Sequence, residues 1–148
     1  MSYLIKSTYQ AKFIELSLSA DQTVTTSSTL VDFDTITGDS GYNCSLVSGG
    51  SGRFRLKGGY RYFVFGVVTI DRTSVTTSYT VKWYNTSGTE LTESSGACDA
   101  ITSKNQETES VLCQLIVEPT SDTDYDLKVE LSADDIKADG TYLMIMEF

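Results

Sequence analysis

The sequence contains no histidine among its 148 residues. Histidine carries the proton in Ser-His and Cys-His nucleophile systems and is the commonest metal ligand, so sites of these kinds are excluded. Asp122, Asp124 and Asp126 have the spacing that opens a calcium loop. However, Leu127 and Ala133 stand where such a loop needs its turn glycine and its bidentate glutamate. We therefore expect no enzymatic activity, no metal and no cofactor.

Cysteine is also scarce, and its spacing fits no known framework. The chain has three cysteines, Cys44, Cys98 and Cys113, an odd number without the spacing of a zinc site or a disulfide scaffold. Free thiols are typical of a reducing compartment. The first ten residues lack the apolar run of a signal peptide, and no segment approaches the roughly 20 apolar residues of a membrane span. We expect synthesis in a cytoplasm, no membrane partner, and folding that requires none of the thiols.

Positive charge is in short supply. The formal net charge is -9, and since phosphate binding depends on clustered Lys and Arg, we expect no nucleic-acid partner. One basic island stands out, formed by Arg53, Arg55, Lys57 and Arg61. Two interpretations are open: charges on the solvent face of a strand, or a docking patch for an acidic partner surface.

The periodic segments all indicate β-strands. Between Tyr125 and Leu131, apolar residues alternate with Asp126, Lys128 and Glu130. This pattern predicts a strand with one buried face and one solvent-exposed face. Turn clusters rich in Gly, Ser and Asn separate such segments, and the single proline, Pro119, lies between two of them. A length of 148 residues fits one domain. The pattern predicts an all-β, antiparallel two-sheet sandwich.

Three segments are apolar on both faces: Lys12 to Leu18, Tyr60 to Ile70 and the closing TYLMIMEF, residues 141 to 148. In the second segment, Phe63, Phe65 and Val67 point away from the remaining apolar residues. Long aromatic side chains that merely cap one core are one explanation. The other is a sheet with an apolar outer face, which would be covered by further copies of the chain. Three such segments favour the second explanation.

The order of features resembles the trimeric jelly rolls of the C1q and tumour-necrosis-factor type. The segments that carry the resemblance are LVDFD (30 to 34), GYN (41 to 43), FRLKGGYRYFVF (54 to 65) and TYLMIMEF, and it spans about residues 11 to 148. The residues that would fill the family's aromatic and glycine positions are Phe33, Tyr42, Phe54, Gly58, Tyr60 and Tyr62.

The resemblance implies a homotrimer in which the sheet that holds the glycine-tyrosine strand and the last strand faces the threefold axis. The predicted trimer interface comprises Phe63, Phe65, Val67, Tyr142, Met144, Met146 and Phe148. The jelly-roll domain would cover residues 11–148. Residues 1–10 would form a docking arm with an apolar triplet, Tyr3, Leu4 and Ile5.

Cytoplasmic folding, free thiols and a bare domain with a short arm suit a structural component of a virion. We expect a homotrimeric capsid decoration (cement) or head-fibre protein of a bacteriophage. It would sit on the capsid surface and bind the major capsid protein or another virion protein. The alternatives are a receptor- or carbohydrate-binding knob of a tail fibre, with a surface glycan as ligand, and a bacterial C1q-like binding module.

Overall fold

The computed structural model describes residues 12–24, 28–38, 43–47, 52–71, 80–91, 108–130 and 135–148. No helix occurs among these residues, and hence none that is long and apolar enough to cross a membrane. Their strands, in chain order, are β1 (Lys12–Ser17), β2 (Gln22–Thr23), β3 (Thr29–Leu30), β4 (Thr35–Gly38), β5 (Cys44–Leu46), β6 (Phe54–Leu56), β7 (Tyr62–Asp71), β8 (Thr80–Asn85), β9 (Thr108–Val117), β10 (Thr123–Glu130), β11 (Asp135–Ile136) and β12 (Tyr142–Glu147). The predicted docking arm, residues 1–10, lies outside the described residues.

Two antiparallel sheets form the architecture. In the first sheet the strands run in the order β9, β7, β12, β1, β4, and the short β11 continues beside the end of β7 with β2 as its outer neighbour. In the second sheet β10 is central, with β8 along one side and β6 and β3 along the other, and β5 lies beyond β6. The predicted all-β, two-sheet jelly-roll sandwich is confirmed.

The core lies between the two sheets. Phe54, Trp83 and Tyr125 of the second sheet form an aromatic cluster, in which the Phe54 ring meets Trp83 edge-on at 6.1 Å and stacks on Tyr125 at 5.9 Å between centroids. Such pairs add about 0.5–1.5 kcal/mol beyond their buried area. From the first sheet, buried side chains of β1, β7, β9 and β12 face this cluster.

Every second residue of strand β7, from Tyr62 to Val68, points into the core. Tyr62, Val64 and Val68 are buried there, and Gly66 occupies the same face between them. A Cβ added at Gly66 would lie 2.7 Å from both the Cys113 sulfur and a methyl carbon of Leu143. Glycine is therefore required so that the side chains of the two flanking strands can meet across β7.

Strand β10 follows the predicted alternation with one exception. Tyr125, Leu127 and Val129 are buried in the core. Asp126 was expected on the solvent-exposed face, yet it is only 1% exposed. The reason is non-local: Arg53, next to β6, lies over it and donates a hydrogen bond from Nε to Asp126 Oδ1 at 2.8 Å. The interpretation of Asp126 as a solvated residue was wrong.

The described cysteines form no disulfide. Cys44 lies in β5 and Cys113 is buried in β9, both as free thiols. Cys98 lies outside the described residues. Whether the fold depends on these thiols stays a prediction.

Candidate functional site

The outward side of the first sheet carries an unusual number of apolar side chains. We call this surface the outer apolar face; it comprises Phe13, Phe63, Phe65, Val67, Leu112, Ile116, Tyr142, Met144 and Met146, together with Glu15, Ser17 and Gln114. It extends over β1, β12, β7 and β9, so that about 14 Å separates its outermost strands. Because side chains alternate along each strand, all of these residues point away from the core.

The strand register arranges this face in rows across the sheet. The first row, from β1 to β9, is Phe13, Met146, Phe63 and Ile116. The second is Glu15, Met144, Phe65 and Gln114, and the third is Ser17, Tyr142, Val67 and Leu112. Directly opposed side chains of neighbouring strands lie about 4.5–5.5 Å apart at Cβ. The rows therefore form one continuous surface, in which Glu15 is the one charged residue.

Several of these side chains are well exposed in the single chain. Phe13 is 52% exposed, Leu112 60% and Ile116 54%. Contiguous apolar surfaces of more than a few hundred Å² mark interaction sites on soluble proteins. The outer apolar face thus has the character of a protein interface.

The structure brings the seven predicted interface residues to this one side of the sandwich. Six lie in the three rows, and Phe148 lies one row beyond the first, opposite Arg61, whose carbonyl accepts its backbone N–H at 3.0 Å. Whether further copies of the chain cover them stays a prediction.

The sequence interpretation missed three apolar residues of the face: Phe13, Leu112 and Ile116. The signal was present, because Leu112, Gln114 and Ile116 alternate with buried residues in the run VLCQLIV. What was absent from the sequence was the pairing of β9 with β7, which places this run at the edge of the same face.

The outward side of the second sheet has the opposite character. We call it the outer charged face; its residues are Arg53, Arg55 and Lys57 at β6, Asp122, Asp124, Asp126, Lys128 and Glu130 at β10, Lys82 and Tyr84 on β8, and Asn43 and Ser45 at β5. Arg55 donates two hydrogen bonds to Asp124. One runs from Arg55 Nε to Asp124 Oδ1 at 2.5 Å, and the other from a terminal guanidinium nitrogen to Asp124 Oδ2 at 3.0 Å. The guanidinium pKa values of Arg53 and Arg55 are raised, chiefly by their hydrogen bonds to Asp126 and Asp124.

A second charged group lies on β8 and β10. The Lys82 ammonium is 3.1 Å from a carboxylate oxygen of Glu130 and 3.3 Å from one of Glu90. Tyr84 donates its hydroxyl to Glu130 at 3.1 Å, and the Lys128 ammonium lies 4.5 Å from the centroid of the Tyr84 ring. These contacts pair opposite charges within the outer charged face. The face is therefore suited to contact with water.

The predicted basic docking patch is thereby largely compensated. Arg53 and Arg55 are paired with Asp126 and Asp124, and Arg61 lies 3.8 Å from the exposed Glu118. Among the described residues, no ion pair involves Lys57. A role of Arg53, Arg55, Lys57 and Arg61 in docking stays a prediction.

A groove of about 280 Å³ opens beside Lys57. We call it the β5–β6 groove; it is lined by Asn43, Cys44, Ser45, Arg55, Lys57 and Asp122. Burial raises the pKa of the Cys44 thiol to about 12, so this thiol is neutral and is a poor nucleophile. The groove therefore has the polar groups of a binding site and lacks an activated nucleophile.

The aspartates of the considered calcium loop are used elsewhere. Asp124 and Asp126 bind arginines, and Asp122 accepts a hydrogen bond from the backbone N–H of Gly58 at 3.1 Å. In the part of the chain that the structure describes, no group of three or more cysteine and carboxylate residues is placed to hold a metal ion.

The arrangement of strands defines a jelly-roll sandwich, and solved structures share it. The chain is similar to murine APRIL at pH 8.5, with 13% identity, a TM-score of 0.68 and coverage of 94% of this chain and 100% of that one. It is also similar to murine APRIL at pH 8.0, with 11% identity, a TM-score of 0.66 and the same coverage. The Eiger TNF of S. frugiperda matches at 11% identity and a TM-score of 0.57, over 93% of this chain and 92% of that one.

In sequence comparisons, no family model and no curated protein matches the chain. At identities this low, the structural similarity establishes the TNF-like fold alone.

Proposed function

We propose that the chain is a non-enzymatic, homotrimeric module whose copies bury the outer apolar face against one another. The observation that carries this proposal is the row of Phe13, Met146, Phe63 and Ile116, four apolar residues side by side on the solvent side of a sheet. An apolar sheet face of this kind is typical of obligate homo-oligomers.

Three copies, rather than two or four, follow from the resemblance to the trimeric jelly rolls. A stable assembly needs about 800 Å² of buried surface per partner. The three rows, together with Phe148 beyond the first, offer an apolar centre for such an interface, and the exposed Arg61 and Glu118 at one end offer a polar rim.

The module would serve as a virion structural protein, either a capsid decoration or a head-fibre protein of a bacteriophage. The free thiols of Cys44 and Cys113 support folding in a reducing cytoplasm. A non-enzymatic trimer with a charged, water-compatible outer sheet suits a particle surface. The expected partner is the major capsid protein or another virion protein.

Receptor or glycan binding by a fibre knob or by a C1q-like module is the second candidate. The β5–β6 groove favours it, because its amide, hydroxyl, guanidinium and ammonium groups are suited to polar ligands. This candidate is compatible with the same trimer, since the groove and the outer apolar face belong to different sheets.

Light scattering at micromolar concentration tests the trimer. The expected mass is three times the 16.2 kDa of one chain. A mass of 16.2 kDa would contradict the proposal. Electron microscopy of particles from the native source, labelled with an antibody against the chain, tests the virion role; label absent from every particle would contradict it.

A further inference from the structure

On the outer charged face, the ion pairs between β6 and β10 follow a regular pattern that is interrupted at Lys57. Cations next to or on β6 are matched by carboxylates of β10, Arg53 by Asp126 and Arg55 by Asp124. Continuing the pattern, Asp122 would be the partner of Lys57. Instead, one Asp122 oxygen accepts the backbone N–H of Gly58.

Lys57 is therefore a cation without an ion-pair partner among the described residues, and it lines the β5–β6 groove. Its ammonium lies 6.0 Å from the centroid of the Tyr60 ring, and Tyr60 is 37% exposed. The positive charge at the groove thus lies near an accessible aromatic ring, although that ring does not line the groove itself. In a chain of net charge -9, such a local cation is the element that an anionic group would recognise.

Two other polar groups of the groove, those of Arg55 and Asn43, are held in place by hydrogen bonds within the protein. Arg55 is fixed by its two hydrogen bonds to Asp124, and Asn43 donates from Nδ2 to Glu147 Oε2 at 2.8 Å. The backbone around them is also fixed, since the Lys57 N–H donates to the Asn43 carbonyl at 2.8 Å. Groups fixed before binding lose little freedom when a ligand arrives, so a small ligand can bind despite few contacts.

We infer that the β5–β6 groove binds a carboxylated saccharide, with Lys57 as the cation that holds its carboxylate. The hydroxyls of one sugar ring are matched by the Asn43 amide, the Ser45 hydroxyl and the Asp122 carboxylate, which offer both donors and acceptors.

The size of the groove limits the ligand. A volume of about 280 Å³ lies just below the roughly 300–1,000 Å³ of ordinary ligand pockets. This space suits one sugar residue rather than a chain enclosed along its length. The surrounding Asp122 and Asp124 repel a densely charged polyanion, which favours a ligand with a single carboxylate.

The inference does not depend on the proposed trimer, because the groove belongs to the second sheet. Titration calorimetry with D-glucuronate, D-glucose and acetate tests it on the full chain. D-glucuronate should bind with a millimolar dissociation constant. D-glucose and acetate should each bind at least roughly tenfold more weakly, because glucose lacks the carboxylate and acetate lacks the sugar ring. Nuclear magnetic resonance should show shifts of the Ser45 and Lys57 amides.

Two variants locate the site. Lys57→Met should weaken D-glucuronate binding by roughly tenfold or more, as expected for a lost charged hydrogen bond. Lys128→Met removes a cation of the same outer charged face away from the groove, and it should leave binding unchanged. The inference would be overturned if D-glucuronate did not bind, or if D-glucose or acetate bound as tightly as D-glucuronate. It would also be overturned if a folded Lys57→Met variant bound D-glucuronate with unchanged affinity.

Discussion

The outer apolar face and the outer charged face are built alike, across several antiparallel strands, and each covers one side of the same core. Their compositions differ sharply. On the first sheet, neighbouring strands place Phe63 opposite Met146 and Phe65 opposite Met144. On the second, they join Arg55 to Asp124, and Lys82 to Glu130 across β8 and β10.

The difference shows what must cover each surface. Charges that are paired with each other need no further protein partner, so water alone is a sufficient neighbour for the outer charged face. Burial of the exposed Phe, Leu and Ile side chains and of the half-buried methionines lowers the free energy by about 25 cal/mol per Å² of apolar surface removed from water. We therefore expect protein against the first sheet and solvent or a polar ligand against the second.

The largest expected effect comes from placing a charge in the outer apolar face. Phe63→Asp or Leu112→Asp should dissociate the assembly to single chains, because an unpaired charge in a buried interface costs several kcal/mol. Leu112 is already 60% exposed in the single chain, so its substitution spares the fold. Light scattering reports the mass.

The matched control is Lys128→Asp on the outer charged face. Lys128 lies directly opposite Lys82 in the β8–β10 pair, so the new carboxylate faces an ammonium. This variant should keep the trimer mass. If Lys128→Asp dissociates the assembly while Leu112→Asp does not, the wrong face has been assigned.

A smaller effect is expected from the buried carboxylate of the outer charged face. Asp126→Ala should lower the free energy of unfolding by about 1–3 kcal/mol, because a buried, charge-assisted hydrogen bond to Arg53 is lost. Asp124→Ala removes a more exposed pair and should cost about 0–1 kcal/mol. Urea denaturation at one fixed protein concentration compares them. Equal losses would show that burial does not separate the two pairs.

Glu15 offers a still smaller, opposite effect. Its carboxylate lies in the second row of the outer apolar face and accepts a 3.3 Å hydrogen bond from the Thr37 hydroxyl. Burial in an interface disfavours the charge, while glutamine keeps the acceptor. Glu15→Gln should lower the concentration at which the trimer dissociates by about fivefold, which for a monomer–trimer equilibrium is about 2 kcal/mol per trimer. Sedimentation measures it; weaker assembly would indicate a cation of a neighbouring copy beside Glu15.

The smallest effect concerns salt. At about 1 M NaCl, charges are screened within about 3 Å. The cost of Asp124→Ala, measured by urea denaturation in low and high salt, should shrink towards zero, whereas the mass of the native assembly should not change. A trimer that dissociates in high salt would mean that ion pairs, rather than the outer apolar face, hold it together.

The alternation along single strands could be predicted from the sequence, since it depends on neighbouring residues alone. It correctly separated Tyr125, Leu127 and Val129 from the outward residues of β10, and it placed Leu143 and Ile145 opposite Met144. The resemblance in residues 54 to 65 and 141 to 148 supplied the sandwich topology.

The remaining features of the fold and of the candidate sites depend on which strands pair. The alternation along a single strand does not encode that pairing. Asp126 is buried because Arg53 reaches it from 73 positions away. Leu112 and Ile116 join the outer apolar face because β9 pairs with β7. The β5–β6 groove likewise requires Asn43, Lys57 and Asp122, from three separate segments, to lie side by side.

The most direct test of the central claim is the oxidation rate of two methionines. Met144 and Met146 lie on the outer apolar face, and hydrogen peroxide converts exposed methionine to the sulfoxide, which mass spectrometry quantifies at each position. The reference is Leu112→Asp, whose cross-strand neighbours in its row are Val67 and Tyr142 rather than either methionine. We expect both methionines to oxidise much more slowly in the native protein than in Leu112→Asp. Equal rates in the two proteins would contradict burial of this face by further copies of the chain.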